Sequence, residues 1–529
     1  MTHDTWSYRS VSVPSDRAAA ATPEVPVAVP KQMSRLSRGI YVRGTLRESA
    51  GETWTVRDPA TEEVLGEAAD TTDDEVDDAL VAAGEAWPGW WALSALERAE
   101  RLHRVAHTLR GMRAELAELL TREMGKPYKE AADEVDWAIT ALDYYAEIGR
   151  HDTGRVVGPA VAGQMHYTVK EPMGVVAVVL PFNYPYVLLC WEAAAALAAG
   201  NAVVVKPSEY TSLSTLRFVE AFEELGPGVV QCVTGRGRVG ARLVGSRGTH
   251  MVAFTGSVPT GRAVAHACAE TFKPHLIETS GNDPFLVMPS APLEVAARGA
   301  VFASFINCGQ VCTSAERFYV HTDVYDDFAR LVVEHARALR VGNGLDKVDV
   351  GPMVNDTERR RFTAIVDRAV EQGATVACGG RVPEGMETGW FYEPTVLLDV
   401  TPEMDIVHDE AFGPVAPLVR VESFEEALRL ANDSEFGLGA NLYSRDLLEV
   451  FTATNGLESG MVWVNAPLLD NDAGPFGGRK LSGTGRQLGA EGLDQFRHTK
   501  FVMVDPAAQP QDFWWFPYAD EECHPGSGA

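Results

Sequence analysis

Two cysteines four residues apart, Cys308 and Cys312, are the strongest candidates for chemistry in this sequence. They lie in a polar, Gly-containing break, residues 307–313, which follows an apolar helical stretch and could expose a side chain. An exposed thiolate is a nucleophile, whereas a buried cysteine is usually a small apolar side chain. The pattern alone leaves both interpretations open for Cys312. No second Cys/His pair of matching spacing occurs, so we predict no metal site.

Two further polar side chains stand where strands are expected to end. Glu278 follows an apolar run, and desolvation there would raise the pKa of its carboxyl and suit it to act as a general base. Asn183 lies in a Pro/Asn turn, and its amide could donate to a developing oxyanion. Each also has a structural interpretation, a cap or turn carboxylate for Glu278 and an Asx turn for Asn183.

A nucleotide site is indicated by two segments at expected strand ends. Lys206-Pro207-Ser208-Glu209 follows one strand, and Lys206 and Glu209 could hydrogen-bond ribose hydroxyls. Gly256 and Ser257 lead from a second strand into a helix, whose first backbone N–H groups can hold phosphate. Neither segment matches the GxGxxG pattern, so each by itself is weak support for a nucleotide.

The elements that carry these residues alternate between strands and helices. Residues 71–149 have apolar residues at helical spacing and predict a helical layer. From Gly174 to Phe254, short β-branched runs alternate with helical stretches, which is typical of right-handed βαβ crossovers around a buried parallel sheet. A second α/β series starts near Pro284 and continues to the Gly-rich segment ending at Gly485. The sequence therefore predicts an α/β fold.

The excess of acidic residues limits the kinds of molecule that this protein is expected to bind. The 529 residues include 46 Lys and Arg against 74 Asp and Glu, a formal net charge of -28. Such a chain is poorly suited to nucleic-acid phosphates or anionic membranes, so we expect neither partner. The seven cysteines are scattered, no secretory signal pattern is present, and polar residues and prolines interrupt the apolar stretch 175–205. We expect a cytoplasmic protein.

Taken together, seven motifs occur in a fixed order along the chain. They are Asn183, residues 206–209, residues 255–257, residues 278–281, residues 309–312, residues 410–414 and residues 475–478. In this order and with these residue types, residues 50–505 resemble the aldehyde dehydrogenase superfamily of the NAD(P)-dependent, hydrolytic type. The resemblance implies an enzyme that oxidises a small aldehyde to the carboxylic acid.

The resemblance assigns the catalytic roles. Cys312 would attack the aldehyde, the amide of Asn183 and the backbone N–H of Cys312 would stabilise the oxyanion, and Glu278 would activate water to hydrolyse the thioester left by hydride transfer. This sequence departs from the family pattern at Thr279-Ser280, where Leu-Gly is usual, and at Gln487, where a carboxylate that could relay a proton is common in relatives.

The resemblance also implies a cofactor site. Its expected residues are Phe182, Lys206, Ser208, Glu209, Gly256, Ser257, Gly281, Glu410 and Phe412. Lys206 and Glu209 are expected at the adenosine ribose, and Glu410 and Phe412 at the nicotinamide end. A carboxylate at Glu209 would repel a 2′-phosphate, so we expect NAD rather than NADP.

By position, eight residues are expected to line the aldehyde tunnel. They are Tyr184, Tyr186, Leu188, Trp191, Phe305, Val311, Asp470 and Phe476. The wall would be aromatic and largely apolar. Asp470 either favours a polar or cationic aldehyde or lies in a solvated loop. No paired-Arg clamp is visible in the sequence, so phosphorylated aldehydes are not expected.

The domain organisation and assembly follow from the same resemblance. We expect an extended N-terminal arm (1–45), an NAD-binding domain (46–281) interrupted by oligomerisation strands (154–169), a catalytic domain (282–480), a return segment with a further oligomerisation strand (481–505) and an aromatic C-terminal tail (506–529). The cofactor domain should have a Rossmann-like parallel sheet. A small β projection would pair subunits into a homodimer or homotetramer.

Two other functions remain open on the sequence. In a CoA-acylating relative, CoA rather than water would resolve the thioester, and such an enzyme would not need the base Glu278. A non-catalytic binding protein could use the same scaffold, because a fold alone does not prove activity.

Overall fold

The computed structural model describes residues 31–151, 154–508 and 515–516. It contains two large, mainly parallel sheets of eight and seven strands, flanked by helices, and a separate three-stranded sheet. The α/β fold class predicted from the sequence is confirmed. Among the described residues, no helix combines the length and apolar character needed to cross a bilayer.

The first half of the chain forms the layer of long helices and most of the first sheet. Its elements are α1 (Lys31–Leu36), β1 (Gly39–Val42), β2 (Thr45–Glu48), β3 (Glu52–Arg57), β4 (Val64–Asp70), α2 (Asp73–Trp91), α3 (Ala95–Met124), α4 (Tyr128–Ile148), β5 (Val156–Val157), β6 (Met165–Pro172), β7 (Val175–Val179), α5 (Pro185–Ala198), β8 (Ala202–Lys206), α6 (Ser212–Val219), β9 (Val230–Cys232), α7 (Gly237–Gly245), β10 (Met251–Thr255), α8 (Val258–Ala269) and β11 (His275–Glu278).

The second half forms the second sheet and then returns to the first. Its elements are β12 (Asp283–Val287), α9 (Leu293–Phe305), β13 (Ala315–His321), α10 (Tyr325–Arg337), α11 (Asp356–Glu371), β14 (Thr375–Cys378), β15 (Thr395–Val400), α12 (Asp405–His408), β16 (Val415–Val421), α13 (Phe424–Asn432), β17 (Asn441–Tyr443), α14 (Leu447–Gly456), β18 (Trp463–Val464), β19 (Gly483–Thr484), α15 (Gly489–Gln495) and β20 (Arg497–Val504).

The first sheet has the strand order β19-β11-β10-β7-β8-β9-β1-β2. Its five central strands, β11 to β9, are parallel and buried on both faces, as the continuous β-branched runs predicted. The chain goes from β7 to β8 and β9 on one side and then crosses to β10 on the other side. The loops after β7 and β10 therefore meet at a topological switch point, which is where open α/β sheets bind ligands.

The helical layer predicted over residues 71–149 is present as α2, α3 and α4. In α3, Ser94 and Glu97 form a reciprocal capping box that fixes where the helix begins. The helix ends at Gly125, which has a φ of 101° and closes against Pro59 and Pro352. This left-handed turn favours glycine and directs the chain inward at Lys126, which is 1% exposed.

The second sheet has the strand order β14-β15-β16-β13-β12-β17-β18 and is parallel except at β14. Near the end of the chain, β19 returns to the first sheet and pairs antiparallel with β11, so that Gly483 lies opposite Glu278. The three-stranded sheet has the order β20-β6-β5, and β20 pairs with β6 along its whole length, from Arg497–Pro172 to Val504–Met165.

The structure of the N-terminal arm differs from the one predicted from the sequence. Residues 31–45, which were expected to be extended, contain α1, β1 and the first residue of β2, and β1 pairs with β9 at the edge of the first sheet. The reason is a short apolar run, in which Ile40 and Val42 are buried against the core. This run is hard to recognise in the sequence because the residues before it are rich in Pro and Ala. Residues 1–30 lie outside the described part of the chain, as does most of the aromatic tail.

Candidate active site

Cys312 lies in the loop between α9 and β13, in a backbone held very close to its neighbours. Asn307, Cys308 and Gly309 have consecutive φ values of 53°, 56° and 70°, which turn the chain back after the helix. A Cβ on Gly309 would lie 2.2 Å from the carbonyl oxygen of Gly413, and one on Gly281 would lie 2.0 Å from that of Cys312. These two glycines therefore permit the close approach that fixes the Cys312 loop.

The two cysteines of this loop have different surroundings. Cys312 is partly exposed and lines a cavity of about 740 Å³. Cys308 is 1% exposed and packs in the core of the second sheet. Burial raises the pKa of the Cys312 thiol, and nearby carboxyls, including Asp283 and Asp470, raise it further. Of the two thiols, only that of Cys312 can meet a molecule in this cavity.

Asn183 follows β7 at the switch point and is held through its backbone. Its carbonyl oxygen accepts hydrogen bonds from Lys126 Nζ at 2.7 Å and from Asn307 Nδ2 at 3.1 Å. Its side chain is 3% exposed and lines the cavity with Cys312, and Oδ1 has no partner among the described residues. The amide group is therefore not committed to an Asx turn.

A buried ion pair that the sequence analysis did not identify supports this turn. Lys126 Nζ lies 2.5 Å from Glu134 Oε2, and both side chains have no solvent exposure. Glu134 Oε1 accepts the backbone N–H of Tyr186 at 2.8 Å, in the first turn of α5. The pair thus joins the helical layer to the segment that carries Asn183. Removing either partner would leave a buried, uncompensated charge.

Glu278 ends β11 and is 2% exposed. The backbone N–H of Gly478 donates to its Oε2 at 3.2 Å, while Oε1 has no partner among the described residues. A Cβ on Gly477 would lie 2.5 Å from Oε1, which explains why glycines occur in the segment 475–478. Desolvation raises the pKa of the Glu278 carboxyl, which is the environment expected of a general base.

The two unusual residues after Glu278 are both hydrogen-bonded. Thr279 donates its backbone N–H to Ser482 O at 2.9 Å and its hydroxyl to Leu481 O. Ser280 hydrogen-bonds the carboxyl of Glu410, which lowers the pKa of that group against the larger effect of burial; the net pKa is about 7. The return segment and Glu410 thus provide hydrogen-bond partners for the two polar residues.

Gln487 belongs to a second buried cluster close to Glu278. Its Nε2 donates to Glu192 Oε1 at 2.7 Å and to Thr255 Oγ1 at 3.2 Å, and Thr255 Oγ1 donates to the same Glu192 oxygen at 2.7 Å. Glu192 Oε2 and Gln487 Oε1 have no partners among the described residues. Burial raises the pKa of Glu192 to about 8, so a protonated carboxyl fits this site at neutral pH.

The residues expected at the adenosine end lie at the carboxyl ends of β8 and β10. Lys206 ends β8, is 5% exposed, and has no hydrogen-bond or ion-pair partner among the described side chains. Ser208 is buried and its hydroxyl accepts the backbone N–H of Tyr210, while Glu209 is half-buried. Ser257 is at the N-cap position of α8, with its hydroxyl bonded to that of Thr260, and a Cβ on Gly256 would lie 2.6 Å from the Phe254 ring.

The residues expected at the nicotinamide end make two contacts with one another. Glu410 Oε1 accepts the backbone N–H of Gly281 at 3.2 Å. The rings of Phe182 and Phe412 meet edge to face, with centroids 5.9 Å apart. Phe412 has a φ of 48°, a strained value for a bulky residue.

Glu316, which the sequence analysis missed, holds this strained segment. Its carboxylate accepts the backbone N–H groups of Ala411 and Phe412, each at 2.8 Å. Arg361 donates to the carbonyl oxygens of Glu410 and Ala411. Glu316 could have been identified from the sequence, because it interrupts the apolar run that forms the buried strand β13 and a buried carboxylate needs partners.

The cavity beside Cys312 contains six of the eight residues expected in the tunnel. These are Tyr184, Leu188, Trp191, Val311, Asp470 and Phe476. Tyr186 was wrongly assigned: it stacks on Phe218 with centroids 4.6 Å apart and donates its hydroxyl to Leu116 O. Phe305 was also wrongly assigned, because it packs in the second core, and Phe302 and Ile306 line the cavity instead. Trp137 and Thr140, from α4, complete the wall on one side.

The comparisons with known proteins agree with this geometry. The model of the aldehyde dehydrogenase family matches residues 46–502. The chain is 39% identical over 473 residues to 3,6-anhydro-alpha-L-galactose dehydrogenase of Vibrio sp. (strain EJY3), covering 88% of this chain and 98% of that protein. The chain belongs to the aldehyde dehydrogenase family.

Two further relatives of this aldehyde dehydrogenase differ in cofactor. The NADP(+) succinate-semialdehyde dehydrogenase of Escherichia coli (strain K12) is 36% identical, over 86% of this chain and 95% of that protein. The structure of betaine aldehyde dehydrogenase from Staphylococcus aureus in complex with NAD+ is 31% identical with a TM-score of 0.88, over 92% of this chain and 98% of that one. This aldehyde dehydrogenase is therefore an oxidoreductase that oxidises an aldehyde to the acid with NAD or NADP.

Replacing Glu192 by glutamine should make this aldehyde dehydrogenase more tolerant of alkaline pH. The folded-state pKa of Glu192, about 8, lies above its ordinary value of 4.5, so its contribution to stability is lost as the pH rises through 8. Glutamine keeps the acceptor for Thr255 and Gln487 and offers an N–H to the unpartnered Gln487 Oε1. Between pH 6 and pH 9 we expect the variant to gain about 1–3 kcal/mol over the parent, measured by calorimetry at both values.

An equal effect of pH on the two proteins would show that Glu192 does not titrate in this range. A Glu192→Ala variant, which removes both oxygens and leaves a cavity, should be less stable than the parent at both pH values.

Proposed function

We propose that Cys312 is the nucleophile of this aldehyde dehydrogenase, Glu278 its general base and Asn183 its oxyanion donor, and that NAD is its cofactor. The observation that carries the proposal is that Cys312 lines the cavity together with Asn183, whose side-chain Oδ1 has no partner among the described residues. Cys308, the alternative thiol, is buried in the core.

The first step follows from the chemistry of the aldehyde. A trigonal aldehyde carbon cannot release its hydrogen as hydride, so a nucleophile must add to it first. The Cys312 thiol first releases its proton to solvent, because the thiolate is the nucleophile. The thiolate sulfur then adds to the carbonyl carbon, and the oxygen becomes an oxyanion that accepts hydrogen bonds from the Asn183 amide and from the backbone N–H of Cys312. Bound NAD supplies the hydride acceptor, and the product on the cysteine is a thioester.

The second step needs activated water. Glu278 electrostatically influences the Cys312 thiol, and its Oε1 has no protein partner among the described residues. The raised pKa of Glu278 makes its carboxylate a stronger base, able to take a proton from the water that attacks the thioester. The acid then leaves, and Cys312 is restored as a thiol.

The residues at the switch point fit a dinucleotide. Lys206 is a nearly buried ammonium group without a partner among the described side chains, a costly arrangement unless a ligand supplies acceptors. Lys206 and Glu209 would hold the adenosine ribose, Ser208 would support their turn, and Gly256 and Ser257 would face the pyrophosphate. Gly281, Glu410, Phe412 and Phe182 would hold the nicotinamide end. The negative charge of Glu209 favours NAD over NADP.

Replacing Glu209 by glutamine should shift the cofactor preference. Without the carboxylate, we expect the Kd for NADP to fall by about tenfold and the Kd for NAD to rise by about threefold, because only NADP has a 2′-phosphate beside this carboxylate to repel. Both constants can be measured by calorimetric titration without an aldehyde. Glu209→Asp, which keeps the charge, is the matched control and should retain the parent preference. If both variants behave alike, the charge of Glu209 does not select the cofactor.

A single assay tests the reaction against its two alternatives. Purified protein is incubated with NAD and aliphatic, aromatic, hydroxylated and amino aldehydes, with and without CoA, and NADH and the product are measured. Acid formation without CoA supports the hydrolytic reaction. Strict dependence on CoA would identify a CoA-acylating enzyme, and no turnover on any aldehyde would favour a binding protein.

The three-stranded sheet supports the proposal of a homodimer or homotetramer. It carries large apolar side chains that are exposed in the single chain, among them Val156, Met165, Phe501 and Met503. A surface of this kind on a small projecting sheet is typical of a subunit contact. Light scattering gives the number of subunits. The six described cysteines are free thiols, which supports the expected cytoplasmic location.

A further inference from the structure

The cavity beside Cys312 has an unusual balance of charge. Among the 19 described residues that line it there are two carboxylates, Asp470 and Asp472, and no Lys, Arg or His. Every other lining side chain is neutral. An aldehyde with a negative group would enter this space without a positive partner and would face two carboxylates.

The two carboxylates have different surroundings. Asp472 is half-buried and lies beside the Thr140 hydroxyl, which donates to Trp137 O at 3.0 Å. Asp470 is solvent-exposed and has no hydrogen-bond or ion-pair partner among the described residues. The residue lines the cavity. The Asp470 carboxyl is therefore available to a cationic group that enters the cavity.

The position of Asp470 is fixed on both sides. On one side, Trp463 Nε1 donates to Leu469 O at 3.0 Å. On the other side, the Asn471 side chain accepts the backbone N–H of Ala473 at 3.0 Å. The Asp470 charge contributes to the raised pKa of both Cys312 and Tyr184, which places it close to the reacting thiol. A loop restrained in this way presents its carboxylate at a defined point of the cavity wall.

Aromatic rings form much of the remaining wall. Trp191 and Phe476 lie with centroids 4.8 Å apart, and Trp137 and Tyr184 with centroids 6.5 Å apart. Aromatic faces attract ammonium groups through the negative charge of the ring face, and this attraction is stronger away from water. Within the described part of the chain, Lys126 Nζ lies 3.7 Å from the centroid of the Tyr184 ring, but Lys126 does not line the cavity and is paired with Glu134 at 2.5 Å.

From this geometry we propose that the enzyme acts on aldehydes that carry a positive charge, an amine or a quaternary ammonium group, which Asp470 and the aromatic wall bind. The inference rests on the proposed function, because the cavity belongs to the substrate only if Cys312 is the nucleophile. Asp470 is then a specificity residue, because it selects among aldehydes and takes no part in the bond changes at Cys312.

Two pairs of aldehydes that differ only in charge test the proposal. The short pair is trimethylammonioacetaldehyde and 3,3-dimethylbutanal, and the long pair is 4-(trimethylammonio)butanal and 5,5-dimethylhexanal; in each pair a carbon replaces the nitrogen. In the parent enzyme we expect kcat/KM to be about 30-fold higher for the cation than for the neutral isostere in at least one pair. The anion 4-oxobutanoate should be the poorest substrate.

The Asp470→Asn variant isolates the charge. It keeps the size and polarity of the side chain, and we expect the ratio of kcat/KM between cation and isostere to fall by about tenfold, mostly through KM for the cation. Asp472→Asn removes the same charge from the same cavity, but at a half-buried position beside Thr140. It should change the ratio much less.

The outcomes separate the two proposals. A ratio near one in both pairs for the parent, or a ratio that Asp470→Asn leaves unchanged, overturns the charge selection, while oxidation of the neutral isosteres leaves the proposed function standing. Failure to oxidise any aldehyde, with no adduct on Cys312 in mass spectra, overturns the proposed function and this inference with it.

Discussion

Cys312→Ala should abolish hydride transfer, lowering turnover by at least about 10⁴-fold, because without the sulfur the aldehyde carbon stays trigonal and holds its hydrogen. The variant should bind NAD with nearly the parent Kd, since the residues proposed to hold the dinucleotide lie on other elements. NADH formation measured by absorbance, together with a calorimetric titration of NAD, checks both parts.

Cys308→Ala is the matched control, because it removes a thiol from the same loop. Cys308 is 1% exposed and its φ is 56°, so alanine there should cost some stability and leave the chemistry intact. If Cys308→Ala proves as damaging to turnover as Cys312→Ala while both variants remain folded, the nucleophile has been assigned to the wrong residue.

Glu278→Gln should separate the two halves of the reaction. Hydride transfer does not need activated water, so we expect a burst of about one NADH per active site. A steady rate reduced by about 10²- to 10³-fold should follow, because the thioester is no longer hydrolysed efficiently. Rapid mixing records the burst, and mass spectrometry of the quenched sample should find the acyl group on the peptide that contains Cys312.

Glu192→Gln serves as the control for Glu278→Gln. Glu192 is an equally buried carboxyl, but Thr255 and Gln487 hold its Oε1, so its loss should not produce a burst. A burst in both variants would mean that the two carboxyls act together on the water. The absence of a burst in Glu278→Gln, with the first turnover as slow as the later ones, would place Glu278 in the step before hydride transfer.

The sequence identified the residues at strand ends well, and the reason is topological. Parallel strands joined by right-handed crossovers bring their carboxyl ends to one edge. Residues that follow β7, β8, β10 and β11, such as Asn183, Lys206 and Ser257, could therefore be assigned to one region from their order along the chain. The α/β fold and the family follow from the same ordered motifs.

The cavity wall was predicted less well, and α5 shows why. Every residue of this helix is buried, so its sequence has no polar face to indicate its orientation. Leu188 and Trp191 line the cavity, whereas Tyr186 points to Phe218 on another side of the helix. The same holds at the end of α9, where Phe302 lines the cavity and Phe305 belongs to the core.

The sequence by itself determined the alternation of strands and helices that carries the site and the residue types available for the chemistry, because both are encoded locally in apolar runs and short motifs. Only the tertiary structure revealed the support from Lys126, Glu134 and Glu316, and the absence of a partner for Asp470 among the described residues. Pairing and burial depend on segments far apart in the chain, such as Lys126 and Asn183 or Glu316 and Phe412. Local sequence cannot specify which charge is neutralised and which one is left for a ligand.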